Sequence, residues 1–406
     1  MSFVARRLAA FSAAVCLFAA SSSFAQKSYD PGVSDTEIKI GNIMPYSGPA
    51  SAYGVFGRTQ AAYFRKINAE GGINGRKINF ISYDDAYSPP KTVEQARKLV
   101  ESDEVLLIFG ALGTATNSAI HKYMNMKKVP QLFITTYASK WNDPKNFPWT
   151  MGFGATYNAE ARIYAAYILK NYPGKTIGIL YQNDDLGKDY LAGLHDGLGA
   201  QAASLIKAEI AYDTSAPTVE SLVVRIKDAN PDIFVNISSP KFAAQAIRKI
   251  AELKWNPVHI LTSTANSTAA TLKPAGYENS QGILSASAFK DVDDPQLKED
   301  PSVKEWRAFM TQWFPDGDQD DGFTRTGFAQ SKTLVQVLRQ CGDDLTRDNV
   351  MRQAANLDME IGLLIPGIRI KTGPTDYAPI KQLQMMRFRN HRWERFGPVL
   401  NDDKNS

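Results

Sequence analysis

The sequence is poor in the residues that usually carry reactive chemistry. It has two cysteines and four histidines in 406 residues. That scarcity argues against a disulfide scaffold and against a multi-histidine metal site. No GxSxG elbow, P-loop, HExxH, CxxC pair or GxGxxG after the first strand is present, so the common short catalytic motifs are all missing. Charge of one sign is also lacking: 46 Lys and Arg face 42 Asp and Glu without long basic blocks, which excludes a nucleic-acid binder of the usual electrostatic kind. Beyond residue 25 there is no apolar run of membrane-spanning length.

What is present begins with a leader. Arg6 and Arg7, the apolar stretch from Leu8 to Ala20 and the small residues of Ser23-Phe24-Ala25 read as a secretory signal peptide over 1–25, removed before Gln26. The chain is therefore expected to be exported. Cys16 leaves with the leader and Cys341 has no partner, so the fold must be held by its core. With 44% hydrophobic and 11% aromatic residues the chain can build one.

From Thr36 onward, short β-branched runs alternate with longer amphipathic ones, the pattern of strand-helix-strand units and parallel sheets. Strands are expected at 36–43, 77–83, 105–109 and 129–135, with helices at 51–69, 89–101 and 114–126 between them. After Pro148 the rhythm restarts with strands at 176–181, 204–210, 232–237 and 258–262. Helices at 302–313, 324–340 and 346–356 follow. Three antiparallel strands, at 368–371, 380–389 and 392–396, are expected to close the chain through turns at Gly373-Pro374 and Asn390-His391.

Ligands of open α/β sheets sit at the carboxyl ends of the strands, where helix N-termini present free N–H groups. Three loops there share one character. They contain Tyr46, Ser47 and Tyr53 after the first strand, Leu112, Gly113 and Thr114 after the third, and Thr136, Tyr137 and Ser139 after the fourth. Glycine lets backbone approach a ligand, hydroxyls donate, and helix N-termini favour an anion. Aromatic residues accompany them: Tyr53, Tyr137, Trp141, Phe153 and Tyr157, then Phe289 and Phe323. An acid end and an apolar body suit such a set. The acidic run Asp316 to Gly322 has its glycine in the seventh place and Gly327 in the twelfth, so it reads as a solvated turn and not a calcium loop.

Ser47-Gly48-Pro49-Ala50-Ser51-Ala52-Tyr53-Gly54, Ile67-Asn68-Ala69-Glu70-Gly71-Gly72-Ile73-Asn74-Gly75-Arg76-Lys77 and Tyr83-Asp84-Asp85 before Ala96-Arg97-Lys98-Leu99-Val100 resemble the periplasmic solute-binding proteins of branched-chain amino acid type ABC transporters. The resemblance runs through nearly all of the chain after the leader. It implies a type I periplasmic binding protein fold: two αβα lobes, joined by three crossovers, with the ligand trapped between them. Lobe 1 would hold 26–152 and 288–362, and lobe 2 would hold 153–287 and 363–406. Of the family's binding positions, a side-chain contact falls on Tyr53, carboxylate contacts on Leu112, Thr114, Tyr137 and Ser139, and an aromatic contact on Phe323. Two family tyrosines fall near Leu186 and near Ser238 or Ser239. The family's acid for a ligand ammonium falls within Thr262-Ser263-Thr264-Ala265, which has no carboxylate; Asp184 and Asp185 are the nearby acids. Arg325 is placed to meet a second anionic group.

These readings lead to one expectation: a monomeric binding protein, without cofactor, metal or catalytic residue, that delivers a small hydrophobic or aromatic carboxylate to the membrane permease of an ABC importer. A branched-chain amino acid binder is the alternative, and a secreted hydrolase a remote one.

Overall fold

The computed structural model describes residues 27–401; the expected leader lies outside the described residues. Five parallel strands form the first sheet: β1 (Glu37–Met44), β2 (Lys77–Asp84), β3 (Leu107–Phe109), β4 (Gln131–Ile134) and β5 (Thr150–Gly152), in the order β2-β1-β3-β4-β5. Every residue of β3, β4 and β5 is buried, as expected of strands covered by helices on both faces. The covering helices include α1 (Val55–Ala69), α2 (Pro89–Arg97) and α3 (Thr114–Lys127).

Local chemistry sets the helix ends. Ser88 precedes Pro89 and Pro90 at the start of α2, where a missing N–H costs no helical bond. α1 stops at Gly71-Gly72, where Gly72 has φ +80° and its N–H bonds to Ile67 O at 2.9 Å. A Cβ on Gly72 would lie 2.1 Å from Arg76 O.

The second sheet has seven strands. They are β6 (Ile177–Gln182), β7 (Ile206–Tyr212), β8 (Ile233–Ile237), β9 (Val258–Leu261), β10 (Leu284–Ser287), β11 (Gln382–Arg389) and β12 (Arg392–Asn401), ordered β12-β11-β10-β9-β8-β6-β7. The strands from β7 to β10 pair in parallel, whereas β11 and β12 add an antiparallel hairpin at one edge. α4 (Tyr157–Asn171), α5 (Asp185–Leu198), α6 (Glu220–Asp228) and α7 (Pro240–Glu252) belong with this sheet. Val223 and Ile226 of α6, and Phe242, Ala246 and Ile250 of α7, bury their stripes against Leu180 and Phe234.

α8 (Pro301–Trp313), α9 (Gly322–Cys341) and α10 (Arg347–Ala354) return to the first lobe, where Tyr63 of α1 meets Phe309 of α8 and Phe328 of α9 at ring-centroid distances of 5.8 and 5.1 Å. The chain thus passes between the two sheets three times, after β5, after β10 and before β11. Among the described residues no helix is long and apolar enough to cross a membrane.

Three local expectations change. Ile370–Lys371 pairs with Asp358–Met359 and not with the final hairpin, although Lys371 N still donates to Pro379 O just before β11. Residues 202–205 are helical, so the strand expected from 204 begins at Ile206. α2 ends at Arg97 and runs into a wider turn over Lys98–Ser102. The turn at Asn390-His391 does join β11 to β12, with φ of +51° and +64°, the conformation of a two-residue hairpin loop whose twist matches its strands.

Candidate functional site

The carboxyl ends of both sheets face one another across a cavity of about 110 Å³. This is the scale of one small ring, since an apolar cavity of about 150 Å³ takes up benzene. A buried amide relay supports the first lobe's wall. Gln330 of α9 donates to Phe133 O and Thr135 Oγ1 at 3.2 and 3.0 Å, and Gln60 of α1 donates to Gln330 Oε1 at 3.1 Å. Gly110, at φ +63°, is pressed against that relay: a Cβ there would lie 2.4 Å from Gln60 Nε2. The loop after β3 is therefore held tightly before α3 begins.

From the first lobe, Tyr53, Phe56, Leu112, Gly113, Tyr137 and Phe323 line the cavity. Tyr53, Phe56 and Phe323 form a mutual aromatic cluster with centroid distances of 5.0 to 6.4 Å. Gly113 is the N-cap of α3, and no side chain caps that helix. Its first-turn N–H groups and the positive end of its dipole thus remain available to an anion. From the second lobe come Tyr157 and Glu160 of α4, Leu186 of α5, and Ser263 and Thr264 beyond β9. The tyrosines are neutral: burial pushes Tyr157 up to about 12 and Tyr137 higher still.

Of the residues expected from sequence, Tyr53, Leu112, Gly113, Tyr137, Tyr157, Leu186, Ser263, Thr264, Phe323 and Arg325 meet at this cavity. Thr114 and Thr136 stand behind the wall. Their hydroxyls bond to each other at 2.7 Å, and Tyr157 OH and Trp141 Nε1 both reach Thr136 Oγ1 at 3.4 Å.

The others lie elsewhere. Tyr46 bonds to Ser82 Oγ at 2.6 Å, and Ser47 donates through its hydroxyl to Asp84 at 2.5 Å, so both serve the edge of the first sheet. Ser139 donates through N and Oγ to Asp189 at 2.9 and 2.5 Å. Asp185 is paired with Lys140 at 2.5 Å outside the cavity. Ser238 and Ser239 are buried at the end of β8, where Ser239 N bonds to Tyr212 OH at 2.9 Å. Asp184 caps α5 through Leu186 N and Gly187 N, so neither it nor Asp185 is the acid of the cavity.

Arg325 lines the cavity with its charge already answered. Its Nη1 donates to Lys290 O at 2.9 Å and lies 3.5 Å from the Asp291 carboxylate.

Sequence reasoning missed Phe56, Tyr87 and Glu160 among the lining residues, and Glu160 is the one that carries a charge. The segment 262–265 carries no acid, yet Ser263 N and Ser263 Oγ both donate to the Glu160 carboxylate, at 2.7 and 2.5 Å. Tyr164 OH and Tyr190 OH complete the set at 2.7 and 2.9 Å. Burial raises the Glu160 carboxyl and these four hydrogen bonds oppose the shift. A carboxylate thus reaches the cavity wall from a neighbouring helix. The four histidines are elsewhere: His121 stacks on Phe147, His195 meets Glu209, His259 meets Asn236 and His391 stacks on Tyr277.

Contacts cross from lobe to lobe around the cavity. Tyr53 OH donates to Thr264 O at 2.8 Å, and Ser267 Oγ donates to Asp321 Oδ1, also at 2.8 Å. The lobes are closed on one another.

Comparison with known proteins agrees with this architecture. The periplasmic binding protein family matches residues 37–392. The Leu/Ile/Val-binding protein homolog 7 of Brucella abortus is 22% identical over 355 residues, which cover 82% of this chain and 85% of that protein. A branched chain amino acid ABC transporter protein of Thermus thermophilus, solved with bound valine, superposes with a TM-score of 0.80 at 14% identity, covering 91% of this chain and 97% of that one. A solute binding protein of an ABC transporter from Rhodopseudomonas palustris, solved with 3,4-dihydroxy benzoic acid, gives 0.78 at 20% identity over 92% and 99%. With two αβα lobes closed on a small aromatic cavity and a family match from strand β1 into strand β12, the chain belongs to the periplasmic binding protein family.

Proposed function

We propose that the protein captures a small hydrophobic or aromatic carboxylate in the periplasm by closure of its two lobes, and hands it as a monomer to the permease of an ABC importer. The lobes divide at residues 152, 287 and 362, and the chain binds and releases without chemistry. One observation carries this reading: the uncapped N-terminus of α3, at Gly113, forms part of the wall of an otherwise largely aromatic cavity. Free N–H groups and a positive helix end receive the anion, while Tyr53, Phe56, Phe153 and Phe323 receive the apolar body. The structural neighbours solved with valine and with 3,4-dihydroxy benzoic acid support the ligand size.

Glu160 favours a second reading, an amino acid whose ammonium faces that carboxylate. The absence of an acid in 262–265 no longer argues against it. Thermal shift against benzoate-like and cinnamate-like acids, leucine and uncharged aromatics tests both. The aromatic acids raise Tm and the uncharged compounds do not. Stabilisation by leucine alone selects the amino acid reading, and no shift with any carboxylate refutes both.

A further inference from the structure

Tyr87 stands at the junction of two spaces. It lines the cavity, and together with Tyr53 it also lines a smaller recess between the lobes, whose other walls are Pro49, Ala50, Gln182, Thr214, Ser239 and Phe242. Among the described residues only these two tyrosines are common to both spaces. The recess lies at the carboxyl ends of β6, β7 and β8, so Ser239, expected at the ligand, lines the recess instead of the cavity.

The Tyr87 ring is fixed in place. Ala86 and Tyr87 have φ of +51° and +60°, a left-handed conformation that is costly for any residue with a Cβ and an outlier for one as bulky as tyrosine. Two carboxylates hold it. Ala86 N donates to Asp84 Oδ1 and Tyr87 N to Asp85 Oδ1, both at 2.9 Å, and the buried Asp85 is itself pinned by Thr92 Oγ1 at 2.7 Å. The ring packs on the start of α3, where a Cβ on Gly113 would lie 2.4 Å from Tyr87 Cε2. Its hydroxyl accepts from Gln182 Nε2 of the second lobe at 3.4 Å. Strain kept in this way at a cavity wall marks a side chain whose position matters there.

We infer that Tyr87 sets how much bulk the ligand carries beside its carboxylate, its ring filling the space into which a substituent at that carbon would extend. A carboxylate received at Gly113 lies against this ring, so an acid branched next to its carboxyl needs the room that the phenol takes. A packed wall does not give up such room without strain. The inference rests on the reading of the cleft as a site for a small carboxylate and adds a steric limit at one end of that ligand.

Calorimetric titration of the full mature chain with phenylacetate and diphenylacetate tests it, because the second acid adds one ring at the carbon that bears the carboxyl. Wild type binds phenylacetate at least about tenfold tighter, as expected when a wall would have to be overpacked. Tyr87→Gly keeps the N–H given to Asp85 and suits a positive φ; it raises the affinity for diphenylacetate relative to phenylacetate at least about tenfold. Tyr87→Phe, which keeps the ring, leaves the ratio within about threefold of wild type. Where Tyr87→Gly does not fold, Tyr87→Asn, also tolerant of that φ, takes its place with the same expected shift. A merely structural role for Tyr87 would weaken both acids equally in Tyr87→Gly and leave the ratio intact, which overturns the inference. Equal binding of the two acids by wild type also overturns it, while leaving the carboxylate reading in place. Failure of both acids to bind wild type and variants, with the proteins folded by circular dichroism, overturns the carboxylate reading and this inference with it.

Discussion

Closure around the ligand has a single-atom test in Tyr53→Phe. The Tyr53 hydroxyl donates to Thr264 O at 2.8 Å, from the first lobe to the second. The ring itself packs on Phe323 and Phe56 at 5.3 and 6.4 Å within the first lobe. Removing the oxygen leaves that packing and deletes one neutral hydrogen bond, worth about 0.5 to 1.5 kcal/mol. Because the bond joins the lobes, its loss falls on the closed state and not on the fold of either lobe. Affinity for whichever carboxylate stabilises the wild type should drop about twofold to tenfold. Thermal stability without ligand should change by less than about 2 °C, and small-angle scattering should show a larger open fraction at subsaturating ligand. Unchanged affinity would refute the reasoning, as would a large loss of stability in the unliganded protein.

Other outcomes follow from packing and titration. In Gly187→Ala the new Cβ would lie 2.0 Å from Gln182 O, so the start of α5 must shift; a cost of about 2 to 3 kcal/mol lowers Tm by several degrees and weakens binding through Leu186, and a Tm within about 1 °C of wild type contradicts this. Burial holds His259 at about 3, below its ordinary value near 6.5, so the unfolded chain takes up the proton first. Stability is therefore lost as pH falls from about 6.5 toward 3, by up to about 1.4 kcal/mol per pH unit, and denaturant midpoints at pH 7, 5.5 and 4.5 should show a flatter slope for His259→Gln. Burial pushes Asp321 up to about 6, which works in the opposite direction. The folded state holds that proton more tightly, so its contribution is lost as pH rises from about 4 through 6. Asp321→Asn keeps an acceptor for Phe323 N and Ser267 Oγ and should gain about 1 to 3 kcal/mol at pH 7.5 but little at pH 4. Equal gains at both pH values would contradict that origin.

The alternation of strands and helices was legible because each element declares itself locally, as Pro89 and Pro90 do at the start of α2 and Gly71-Gly72 do at the end of α1. The loops after β1, β3 and β4 could be placed at one sheet edge from topology alone, which brought Tyr53, Leu112, Gly113 and Tyr137 into view. What the sequence concealed is pairing at a distance. Ser47 and Ser139 sit in the right loops, but Asp84 and Asp189 claim their hydrogen bonds. Asp185 follows the right strand and is drawn outward by Lys140. Glu160 was hidden for the converse reason, because it comes to Ser263 from a different helix. Its one local sign is its position: it shares with Tyr157, Tyr164 and Ile168 the buried face of α4, where an acid is costly unless it is fully hydrogen-bonded. Arg325 reached the cavity as expected, but Asp291, distant in sequence, already balances its charge.

The central claim is that the cavity takes an anion at the N-terminus of α3 and an apolar body among the aromatic side chains. Calorimetric titration with 4-hydroxybenzoate and with its methyl ester tests this most directly, because the two share ring and hydroxyl and differ in charge. The acid should bind at least about tenfold tighter, the worth of a charge-assisted hydrogen bond to a buried anion. Equal binding of acid and ester would contradict the account.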